Sequence, residues 1–120
     1  MNHLTLTDDL LVVEPVGLAR LWSLRRRIEV PLGRVRGATY DPGAAHEAKG
    51  LRGPGLAIPG LRWAGTFHRD GERTFWNVRA GRPTLVVELD GTDLARLYLT
   101  VDDARAEVDR VNAAVARTRR

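Results

Sequence analysis

Cysteine is missing from this chain altogether, which excludes disulfides, thiolate-held zinc and thiol nucleophiles together. Lysine is nearly missing as well, since Lys49 stands alone against 18 arginines among the 19 basic residues. A bias on that scale is what a GC-rich coding sequence produces, and it is no specific sign of phosphate recognition. Serine occurs once, as Ser23, outside any Gly-x-Ser-x-Gly context. No run of about 18 apolar residues exists, so no helix is expected to span a membrane. The opening "MNHLTLTDDL" lacks a basic segment followed by an apolar one, so no secretory signal is read and a cytoplasmic location is expected.

Metal and cofactor chemistry find no support. His3, His46 and His68 lie far apart, with no spacing that would hold a metal, so neither a metal nor a cofactor is expected. "GLRGPG" lacks the Lys-Ser/Thr ending of a phosphate loop, and no βαβ unit surrounds it. The carboxylate pairs Asp8-Asp9 and Asp102-Asp103 are accounted for by a turn and a helix cap. The expectation is a protein that is not an enzyme.

What remains is an ordinary globular composition, 43% hydrophobic and 28% charged over 120 residues, sized for one domain covering 1–120. The net charge of +4 is concentrated at the end, where Arg117, Arg119 and Arg120 form a basic tail (about 118–120). Without it the charges nearly balance, so a nucleic-acid partner is not expected.

Period 2 dominates the hydrophobic pattern. In "TFHRDGERTFWNV" the dipeptide Asp70-Gly71 separates two β-prone runs, the signature of a hairpin whose turn needs positive φ. A two-residue loop pairs Arg69 with Glu72, Phe67 with Thr74 and Gly65 with Trp76. Trp63, Gly65, Phe67, Thr74, Trp76 and Val78 then share one face, read as core, and Phe75 and Asn77 lie on the other. "TLVVELDG" reads as a strand buried on one face, and "ARLYLTV" as a half-exposed strand with Leu97, Leu99 and Val101 inward. Residues 62 to 101 are therefore expected to form four consecutive antiparallel strands. Earlier strands are read at "LTL", "LLVVE", "LARLWSL", "IEVPL" and "RVRGATY", with Pro31 suiting an edge.

Period 3.6 occurs once. Ala104, Val108, Val111 and Val115 make an apolar stripe, predicting a helix over about 103–117 behind the N-caps Asp102 and Asp103. Arg105, Asp109, Arg110 and Asn112 are expected to face water.

The succession "GTFHRDGERTFWNV", "TLVVELDG" and "ARLYLTVDDARAEVDRV", about residues 62 to 112, resembles bacterial pleckstrin-homology-like domains. The resemblance implies a mainly β fold: a partly open barrel of about seven antiparallel strands in two nearly orthogonal sheets, capped by one C-terminal helix. Eukaryotic members bind phosphoinositides through basic residues near the first strand pair. Here "TDDL" is acidic and "EPVG" has no basic residue, so that activity is not carried over.

Two features remain as interaction candidates. Arg25, Arg26 and Arg27 are the densest basic run, read first as a solvated strand end and second as a patch for a polyanion or membrane surface. The Gly/Pro-rich connection at about 41–61 is long, and its second half carries Leu51, Leu56, Ile58 and Leu61. Those aliphatics are expected either to fold over the barrel end or to meet a partner. The reading is an interaction module for a protein partner or homo-oligomer, acting through a strand edge or the 51–61 loop, with Leu56 and Ile58 as candidate contacts.

Overall fold

The computed structural model describes residues 2–15, 27–41, 56–58, 62–69, 71–79 and 82–118. Nine strands are found there: β1 (Asn2–Leu6), β2 (Leu10–Pro15), β3 (Ile28–Pro31), β4 (Val35–Tyr40), β5 (Leu56–Ile58), β6 (Arg62–Arg69), β7 (Glu72–Arg79), β8 (Thr84–Leu89) and β9 (Arg96–Thr100). One helix, α1 (Ala104–Thr118), follows them. Between Leu4 and Val101 the described residues hold no other helix than a three-residue 3-10 turn at Leu32–Arg34. The mainly β reading with one C-terminal helix therefore holds.

The strands form two sheets, β1-β2-β3 and β4-β8-β9-β7-β6-β5. Among the described residues the two sheets are not closed into a barrel. Residues 62 to 101 depart from a run of consecutive antiparallel neighbours. β9 inserts between β7 and β8, antiparallel to β8 and parallel to β7, with Trp76 opposite Tyr98 in the parallel pair. Insertion brings β9 full backbone pairing on both sides, which an edge strand lacks.

Local chemistry explains the hairpins. The β6–β7 register is the one that the two-residue loop dictates: Arg69 faces Glu72, Phe67 faces Thr74 and Gly65 faces Trp76. Gly71 supplies the turn with φ of +79°. In the β1–β2 hairpin, the Thr7 hydroxyl accepts from the Leu10 amide at 3.0 Å and from the Asp9 amide at 3.4 Å, and donates to Asp9 Oδ1 at 3.1 Å. Leu6 and Leu11 close that ladder. β3 carries Pro31 at the edge of its sheet, where a missing amide is tolerated.

The core lies between the sheets. Leu4, Leu11, Val13, Ile28 and Val30 of the small sheet meet Phe75, Leu85, Val87, Leu97 and Leu99 of the large one. Ala104, Val111, Ala114 and Val115 of α1 close the same cluster, with Val108 half-buried beside it. The helix starts where Asp103 accepts from the Ala106 amide at 3.1 Å, an N-cap bond.

The opposite face of the large sheet is also buried, a correction to the single core face. Phe67, Trp76, Val78, Val86 and Tyr98 form a second apolar cluster there, and Phe75 belongs to the main core instead. Trp76 and Tyr98 stack with ring centroids 3.9 Å apart and planes 12° from parallel. The Trp76 indole donates to the Thr74 hydroxyl at 2.9 Å, satisfying its buried polar atom. β8 and β9 are accordingly buried on both faces along most of their length. The strand read at "LARLWSL", together with Leu51, Leu61 and the Trp63 side chain, lies outside the described residues.

Candidate functional site

A sheet offers unpaired backbone N–H and C=O groups only along its outermost strands. In the six-stranded sheet, among the described residues, those strands are β4 and β5. Their two edges differ in chemistry.

At β4, the side chain of Asn112 on α1 meets the strand. Asn112 Oδ1 accepts from the Ala38 amide at 2.8 Å, and Asn112 Nδ2 donates to the Ala38 carbonyl at 3.0 Å. One side-chain amide thus makes both bonds that a neighbouring strand would make. Asn112 is exposed, as expected, and its amide is in addition engaged with β4. Arg105, expected to face water as well, lies over the Tyr40 ring at 5.5 Å. A single-sequence pattern marks only the apolar stripe of a helix, so polar residues flanking the stripe escape it.

At the other end, β5 is paired on one side, with β6: Leu56 faces Ala64, Ala57 faces Trp63 and Ile58 faces Arg62. Among the described residues it is the outermost strand. Leu56 and Ile58, expected in a loop, are therefore strand residues at a sheet edge. Whether their side chains lie on the core or on a partner is outside the described residues. So are Arg25 and Arg26. Arg27 is exposed and pairs with Glu29 through Nε at 3.3 Å, so its charge is locally matched.

The outer face of β4, β8 and β9 holds a cavity of about 500 Å³ lined by Thr39, Tyr40, Asp41, Val86, Glu88, Arg96 and Tyr98. Its ionic groups are tied together. Arg96 reaches Glu72 at 3.3 Å and Glu88 at 4.0 Å. Nearby, Arg73 Nη1 contacts both oxygens of Asp93 at 2.6 Å. These pairs are half-exposed and link β7, β8, β9 and the turn before β9, each contributing little to stability. His3 and His68 are exposed and lie on different sheets. Among the described residues no three His, Asp or Glu side chains are grouped to hold a metal.

No protein-family model, curated protein or solved structure matches this chain.

Proposed function

We propose that this chain is a non-enzymatic interaction module of the cytoplasm, and that copies of it associate by strand addition at β5. The observation that carries the reading is the position of β5 as the outermost described strand of the large sheet, in an uncharged segment, Leu56-Ala57-Ile58. Unpaired edge amides and carbonyls bind another strand without side-chain specificity, and aliphatic neighbours add apolar area. An antiparallel pair centred on Ala57 would set Leu56 of one copy against Ile58 of the other. Three residues pair over a small area, so such a dimer is weak and concentration-dependent.

A pleckstrin-homology-like affiliation rests on the sequence pattern of residues 62 to 112. The nine described strands and the parallel β7–β9 pair depart from that family's seven antiparallel strands. Among the described residues no helix is long and apolar enough to cross a membrane.

Sedimentation over a range of concentrations tests the proposal. Wild type should shift from monomer to dimer as concentration rises. Replacing both Leu56 and Ile58 by Asp should hold the chain monomeric with its circular dichroism unchanged. Unchanged association in that folded double variant would end the β5 reading.

A further inference from the structure

We infer that Asn112 closes the β4 edge against a second copy of this chain, so that edge-to-edge assembly is confined to the opposite end of the sheet. The inference rests on the proposed β5 contact only for the identity of that opposite end.

The symmetry of edge pairing gives the closure a purpose. Two copies joined β5 to β5 use the same surface twice, and the contact is complete at two. Copies joined β4 to β5 use different surfaces, each leaving a free edge for the next, and such a contact propagates. A protein with one usable edge stops at a pair, whereas one with both edges open can extend without limit.

The geometry at β4 fits closure at backbone level. The Asp41 amide donates to the Thr84 carbonyl of β8 at 3.0 Å, so position 41 turns its backbone groups inward. Alternation along an antiparallel strand then turns Ala38 and Tyr40 toward the edge. Asn112 takes both groups of Ala38, and Arg105 of the same helix lies over the ring of Tyr40. A register shift between Val35 and Gly37 irregularises the strand just before the contact.

Gly37 is part of the fit. A Cβ at that position would lie 3.3 Å from Asn112 Oδ1, tighter than ordinary van der Waals contact. The helix itself has no need of asparagine at 112. Alanine is intrinsically the better helix former at an exposed position, and Asn112 is not in the buried stripe. Its contribution is the bond pair to β4.

Asn112→Ala tests this, because it removes both bonds while favouring the helix. Hydrogen exchange at the Ala38 amide should quicken by about two- to tenfold, the effect of one lost hydrogen bond. Sedimentation of the folded variant should show species larger than the wild type's at matched concentration. Adding Leu56→Asp and Ile58→Asp to Asn112→Ala should cap the assembly at a dimer joined through β4. Should Asn112→Ala fold poorly, Gly37→Ala provides a second, milder test, because its Cβ forces Asn112 Oδ1 back by a few tenths of an ångström and weakens the bond to Ala38. A strictly monomeric wild type beside a self-associating Asn112→Ala would end the β5 reading yet support closure at β4. Faster exchange at Ala38 with wild-type association in both variants would overturn the inference.

Discussion

Asn77 Nδ2 donates to Asn2 Oδ1 at 2.8 Å, joining the large sheet to the small one across 75 residues of chain. The contact is reciprocal in effect. Asn2 Nδ2 donates to the backbone carbonyls of Asn77, at 3.1 Å, and of Thr100, at 2.9 Å. Both side chains are buried, so their polar atoms depend on these bonds. Asn2 thereby spans the seam of the parallel β7–β9 pair and fixes β1 against it.

Replacing Asn2 by Ala should therefore destabilise the fold by about 1–3 kcal/mol, the effect of leaving a buried polar partner unsatisfied. Asn77→Ala should fall in the same range. The double variant should lose clearly less than the sum, since both changes remove the same bond. Urea titrations of the three variants measure this, and strict additivity would show that the two amides act independently.

Trp76→Ala should be far more damaging, by about 3–5 kcal/mol, because the indole is fully buried and stacked on Tyr98. Phe75→Ala should be comparable, since Phe75 is equally buried in the main core on the other face. Chemical denaturation of the pair checks that both faces of β7 are structural. A loss under about 1 kcal/mol at either position would assign that face to the surface.

The two aspartates before α1 should behave differently. Asp103→Ala removes the N-cap bond to Ala106 and should lower stability by about 0.5–2 kcal/mol. Asp102→Ala should change it by less than about 0.5 kcal/mol, as an exposed residue without a cap bond does. Thermal melts of the two variants decide between them.

The Arg73–Asp93 contact is short but exposed on the carboxylate side, 68% for Asp93. Asp93→Asn should cost no more than about 1 kcal/mol, with the difference from wild type shrinking as salt rises. A salt-independent loss would mean that the pair is shielded from solvent. Urea midpoints at low and high salt provide the comparison.

The sequence by itself determined the local structure. Asp70-Gly71 fixed the β6–β7 register, because a two-residue turn leaves one pairing in which alternation continues. The stripe from Ala104 to Val115 and the carboxylate of Asp103 determined α1, because helical period and capping are properties of neighbouring residues. The candidate edge was half legible: Leu56 and Ile58 stood out as aliphatics among glycines and prolines, though not as a strand. Only the tertiary structure decided which strands are neighbours. Alternation says which side of a strand is apolar, but a strand's own residues do not name its partners, so β9's place between β7 and β8 was out of reach. The same holds for Asn77 and Asn112. A polar side chain on a strand or helix reads as solvated until a backbone or amide far along the chain is brought within hydrogen-bonding distance. Those bonds join residues 74 and 75 positions apart, and only folding sets such distances.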